Sequence, residues 1–136
     1  MAMSLLDDLS DLLSSGSTGL SGLVFLGRLS DTPADQLAIA ETGGMAPVHA
    51  MSAGPGNAVL EMPRVQIVSR SVTYAGAKTR IKVAEGLLDG LRPRTINGTQ
   101  YHFASAVQPP FLLEYDANGR PVLAQNFEIQ KARSTA

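Results

Sequence analysis

Residues 95–130 read TINGTQYHFASAVQPPFLLEYDANGRPVLAQNFEIQ, and this stretch decides the fold class. Asn97-Gly98 stands between β-formers, Thr95-Ile96 before it and Thr99-Gln100-Tyr101 after it, and Asn-Gly is the pair best suited to the left-handed turn of a two-residue hairpin. A strand through Val107 follows. Pro109 and Pro110 bar a regular ladder at that point. Phe111 to Tyr115 then leads through Asp116, Ala117, Asn118 and Gly119 into residues 121–130, which completes a second hairpin. A run of antiparallel strands is therefore the fixed point from which the rest is read.

Working outward, residues 72–91 carry Tyr74, Ala77, Ile81, Ala84, Leu88 and Leu91 at three- and four-residue steps, the period of a helix with one apolar face. Gly76 and Gly86 lie inside it, and each costs about 1 kcal/mol against Ala in an exposed helix unless close packing requires it. Gly90 and Pro93 end the helix. Residues 64–70 (RVQIVSR) alternate Val65 and Ile67 with Gln66, which predicts a strand with one wetter face. Residues 42–62 (TGGMAPVHAMSAGPGNAVLEM) show neither period and hardly any charge. A flexible arm or extended loop over residues 43–62 is expected there, and compact domains keep such segments chiefly where they bind something. Residues 36–41 (QLAIAE) alternate as a strand, Asp31, Pro33 and Asp35 make the turn before it, and residues 19–29 end in an apolar run that reads as a buried strand.

The clearest helix spans residues 4–15, where Leu5, Leu6, Leu9, Leu12 and Leu13 draw one stripe and Ser4 with Asp7 resembles a capping box. Gly16 stops it. Asp7, Asp8 and Asp11 lie off the stripe and read as a solvated face rather than a cation site. The order is α, β-β, arm, β, α, then antiparallel strands. That order predicts a single α+β domain over residues 1–136: one mostly antiparallel twisted sheet flanked by two helices, with a long Gly/Ala/Pro/Met-rich arm.

The 136 residues carry a formal net charge of −1 and no cysteine, so disulfides, thiolate zinc sites and cysteine nucleophiles are excluded. Near-neutrality argues against a dedicated nucleic-acid binder. MAMSLLDDLSDLL puts acids where a secretory signal needs bases, and no apolar run approaches the ~18 residues of a membrane span, so a cytoplasmic setting without a membrane partner is expected. The neutral average hides an asymmetry: residues 1–61 hold seven acids and one base, a net −6, whereas residues 62–136 hold ten bases and five acids, a net +5. The two signs are expected to mix over one surface, although separate patches of opposite sign would permit head-to-tail pairing.

No catalytic constellation emerges. His49 falls in the arm and His102 in a strand, and neither has a partner at metal-ligand spacing. Gly19-Leu20-Ser21-Gly22 fails as a nucleophile elbow because Leu23 stands where the second Gly belongs. Gly76-Ala77-Lys78-Thr79 lacks the glycines of a phosphate loop, and Gly54-Pro55-Gly56 lacks the strand that a dinucleotide site needs before it. Asn97-Gly98-Thr99 is a formal glycosylation sequon whose turn chemistry explains it. Lys78, Arg80, Lys82, Arg92 and Arg94 spread around a helix and read as a solvated face. No cofactor, metal or catalytic residue is expected.

Taken together, the segments resemble the bacteriophage minor capsid proteins understood as tail terminators, or tail completion proteins, of long-tailed phages. The resemblance rests on the opening amphipathic helix, Phe25-Leu26-Gly27-Arg28, Glu41-Thr42-Gly43-Gly44 with Pro47, Pro63-Arg64-Val65-Gln66-Ile67, Thr95-Ile96-Asn97-Gly98, and Pro110-Phe111-Leu112-Leu113 through Asn118-Gly119-Arg120-Pro121 to Asn126-Phe127-Glu128. Their order and spacing carry it, since each piece alone is plain strand or turn chemistry. It implies a non-enzymatic virion protein of the neck, assembled in the host cytoplasm. Its subunits close into a homo-oligomeric ring, usually of six, that seats on the last ring of tail-tube protein and stops polymerisation. The other face meets a head-completion or stopper protein, and phage DNA passes through the lumen with transient, non-specific contact. Contacts of the arm do not carry over from the family, but its Ala/Met/Gly composition adapts to a partner at low steric cost, and Gly43, Gly44, Met45, Pro47, Met51, Pro63, Arg64, Arg70, Asn118, Gly119 and Arg120 are the expected ring or tube interface, with Arg64 and Arg70 either interface pairs or lumen-facing charges. The alternatives are another head-tail connector component such as a head-completion stopper, a tail-tube subunit, or, from a different class, a small enzyme or ligand-binding domain with a polar pocket around His102.

Overall fold

The hairpin at Asn97-Gly98 forms as its chemistry requires: Asn97 has φ +50° and Gly98 φ +83°, both left-handed, and they join β4 (Arg94–Ile96) to β5 (Thr99–Ala106). The computed structural model describes residues 4–14, 23–30, 34–49 and 58–132. Within them the chain runs α1 (Leu5–Ser14), β1 (Val24–Leu26), β2 (Gln36–His49), β3 (Ala58–Arg70), α2 (Tyr74–Leu88), β4, β5, β6 (Phe111–Tyr115) and β7 (Pro121–Ala132). The strands make one sheet in the order β1-β2-β3-β7-β5-β4, with β6 also on β7. Every pairing is antiparallel except β1 with β2.

β5 and β6 lie end to end along β7. Ala106 faces Phe127 and Phe111 faces Ala124, so residues 107–110 span only two positions of the partner. Val107 still donates to the Asn126 carbonyl at 2.8 Å, after which the two prolines, lacking donors, push the chain out of the ladder. Gln125 fills the gap, its amide donating to the Gln108 carbonyl at 2.8 Å and to Glu85 of α2 at 2.5 Å. That amide is the first cause of the lowered pKa of Glu85, with Lys82 adding to it against the opposing effect of burial.

Both helices cover the same face of the sheet. Leu5, Leu9, Leu12 and Leu13 of α1 and Ala77, Ile81, Ala84 and Leu88 of α2 join Leu37, Ile39, Val65, Ile67, Tyr101, Leu123, Phe127 and Ile129 in one core. Ser4 caps α1, its hydroxyl donating to Asp7 at 2.6 Å and accepting from the Asp7 amide at 3.3 Å. Thr73 caps α2 by accepting from the Gly76 amide at 3.1 Å. A Cβ on Gly76 would lie 2.6 Å from Ser71 Oγ, so that glycine is there for close packing, while a Cβ on Gly86 would meet nothing. The helix is shorter than its apolar period suggested. Tyr74 is exposed, and Leu91 is buried beyond the helix, bridging to Ala104.

Three expectations need correction. Most of residues 42–62 is strand rather than loop: β2 continues to His49 and β3 begins at Ala58, leaving only residues 50–57, with Met51, outside the described residues. The period is hidden because a bulge sits in the middle. Glu41 pairs with Val65 but Gly44 with Pro63, so β2 carries one extra residue, with Gly43 at φ +96° and Gly44 at φ +149°. Next, the expected buried strand within residues 19–29 reduces to the three residues of β1, half-buried and ending at Gly27, whose φ is +87°; Gly19 to Gly22, like Asp31 and Pro33, lie outside the described residues. Finally, Asp8 does not lie on a solvated face: it is 1% exposed.

Candidate assembly surfaces

The buried Asp8 is held by polar partners. Tyr101 Oη donates to one carboxylate oxygen at 2.5 Å, and Asn97 Nδ2 donates to the other at 2.9 Å and to Asp11 at 2.7 Å. One residue of the hairpin turn thereby ties α1 to the sheet. Burial first, and then the Asp8 carboxylate, pushes the Tyr101 hydroxyl well above the usual phenolic range.

Opposite ends of the molecule hold the expected interface residues. In β3, Pro63 faces Gly44 across the bulge, so close that a Cβ on Gly44 would lie 2.4 Å from the Met62 carbonyl. Beyond it β2 and β3 run on as a paired hairpin carrying Met45 and Pro47, and the pairs Val48–Leu60 and His49–Ala58 lie at or past the described end of β7. Arg64 is half-exposed on β3 and bonds through Nε to Glu128 of β7 at 3.0 Å. An exposed pair of this kind contributes on the order of 0–1 kcal/mol.

Arg70 sits at the other end of β3, only 4% exposed, and donates to the Ala34 carbonyl at 3.1 Å while its guanidinium lies 3.8 Å from Asp116. Such a side chain fastens β3 to the segment before β2 and to the β6–β7 turn. Asp116 also organises the turn that bears Asn118, Gly119 and Arg120. It accepts from the amides of Asn118 and Arg120 at 3.0 and 2.8 Å and from Arg120 Nε at 2.7 Å. Burial alone would raise its pKa, but these donors outweigh that and hold it below the ordinary carboxylate range. The sites therefore fall into a hairpin group (Gly43, Gly44, Met45, Pro47, Pro63, Arg64) and a turn group (Arg70, Asn118, Gly119, Arg120), which the structure does not bring together.

The fold has a counterpart among solved structures. A chain from the virion of a native gene transfer agent particle superposes with a TM-score of 0.60 at 10% identity, over 96% of each chain, which shows a shared fold. Comparison with curated protein sequences gives no significant match. The family model for bacteriophage tail terminator proteins matches residues 5–133. The chain belongs to the bacteriophage tail terminator protein family. It is accordingly a structural tail protein of a bacteriophage-type virion.

Two features of this terminator-family chain escaped the sequence reading. One is Asp8, whose position beside Leu9 gave no sign that Asn97 and Tyr101 would reach it. The other is a set of exposed apolar side chains: Leu112, Leu113 and Tyr115 on β6, Leu26 on β1, and Val72 and Tyr74 at the start of α2. Consecutive Leu112-Leu113 in a strand was the available signal, since one of the two must leave the core face. His102 is exposed on β5, and among the described residues no group of three His, Asp or Glu side chains could hold a metal ion. No helix among them is long and apolar enough to cross a membrane. The opposite charges of the two sequence halves meet inside the chain, as in Lys131–Glu61 at 2.8 Å and Arg80–Asp35 at 3.5 Å.

Proposed function

We propose that this protein forms a ring, of six subunits as the resemblance implies, that seats on the terminal ring of the tail tube, stops tube growth and offers its opposite face to a head-completion or stopper protein. The family match, which spans nearly the whole folded body, carries this reading. The protein acts through surfaces and performs no catalysis. It resides in the neck of the virion, assembled there from the host cytoplasm, and DNA crosses its lumen with only transient contact. The hairpin beyond Gly44 and Pro63 is the contact to the tube or to a neighbouring subunit, because its Ala/Met/Gly-rich composition adapts to a partner at low steric cost.

Light scattering of the protein alone and with purified tube protein, with negative-stain images of the mixture, tests the reading. A discrete oligomer at tube ends and a tube length that stops increasing are expected. Long cylinders formed by the protein alone would make it a tube subunit, and unchanged tube growth would end the proposal.

A further inference from the structure

The strand edges of the sheet are unevenly guarded. On the β7 side, the outer edge of β5 is covered by β4 and by the Leu91 bridge to Ala104, whereas β6 pairs with β7 alone. β6 therefore presents one row of backbone donors and acceptors that meets no strand among the described residues. Its side chains are apolar on both faces: Leu112 is 41% exposed, Leu113 46% and Tyr115 60%. Of the usual protections for an edge, this strand has no lysine, no central proline and no covering strand among the described residues, and Glu114 is its only charge. β4 ends the sheet beyond β5, and at the far side β1 meets no further strand among the described residues, with Leu26 44% exposed.

The edges of β1 and β6 match in position and direction. Following the pairing across the sheet, Val24 faces Leu37, Leu37 faces Ser69, Ser69 faces Leu123 and Leu123 faces Leu112, so β1 and β6 end the same row. β1 runs parallel to β2, and three antiparallel steps then carry the direction through β3 and β7 to β6. β6 consequently runs opposite to β1. A second copy displaced along the row would bring its β1 beside β6 as an antiparallel neighbour at the same level.

We propose that β6 of one copy pairs with β1 of the next, joining their sheets edge to edge, with Leu112, Leu113 and Tyr115 covered on assembly. This pairing rests on the ring reading and specifies the contact that builds it. Two different edges meet, so the contact is heterologous, the kind that closes into a ring when the rotation between copies allows. Backbone bonds supply the register, and the apolar side chains supply the buried area.

The chain has no cysteine, so introduced thiols are unique. Val24→Cys and Leu112→Cys variants, mixed in equal amounts with tube protein under mild oxidation, should give a covalent dimer; each alone should stay uncrosslinked, and the double variant should give a ladder of oligomers. Leu113→Lys, at an exposed position, should reduce the oligomer at least tenfold while its thermal unfolding stays unchanged. An oligomer that forms without the crosslink and tolerates Leu113→Lys would overturn the edge pairing and leave the ring standing. Loss of tube capping in Leu113→Lys with the oligomer intact would overturn it too, assigning β6 to the tube. A chain that stays monomeric by light scattering with tube protein would remove both the ring and the pairing.

Discussion

A carboxyl group 1% exposed is stable only if its oxygens are bonded, and Asp8 achieves this through Tyr101 and Asn97. Removing the Tyr101 hydroxyl leaves a buried acceptor short of a donor, so Tyr101→Phe should lower stability by about 1–3 kcal/mol at neutral pH. The pH dependence has a defined sign. Tyr101 ionises near 10 in the unfolded chain and at a higher value when folded, so its contribution is complete below pH 10 and declines above it. Urea melts from pH 8 upward should therefore show wild type converging on Tyr101→Phe above pH 10, and parallel curves throughout would refute the account. Asp8 also marks a limit of sequence reading, because helical spacing located it off the leucine stripe but only the docked hairpin could bury it.

At the level of elements, the two glycines of α2 look alike in sequence and differ in surroundings. Gly76 has Ser71 and Thr73 oxygens where a side chain would go, and Gly86 has open space. Gly86→Ala should raise stability by about 0.5–1 kcal/mol, and Gly76→Ala should lower it, as thermal unfolding would show. The hairpins at Asn97-Gly98 and at Asp116–Arg120 were legible because local chemistry alone sets them. β2 and β3 were cut short for the opposite reason. The Gly43-Gly44 bulge shifts the side-chain alternation by one residue, and Pro63 across from it removes a donor, so neither strand shows an unbroken period of two.

For the whole molecule, the helix-covered core and the distal β2–β3 hairpin should be separable in stability. The core joins α1, α2 and the sheet, and of the distal β3 residues Leu60, Glu61 and Met62 are only half-buried, outside it. Replacing residues 49–59 with an Asn-Gly turn joining Val48 to Leu60 should leave the unfolding temperature within a few degrees while tube capping is lost. Full capping by that variant would show that the hairpin makes no essential contact. The sequence by itself determined the α+β class, the two amphipathic helices, both C-terminal hairpins and the family resemblance, because each depends on periodicity, turn chemistry or residue order within short spans. Only the tertiary structure decided that both helices share one face, that Arg70 is buried against Asp116, and that β1 and β6 end one row as open edges. Those facts depend on which distant strands become neighbours, and no local signal encodes that.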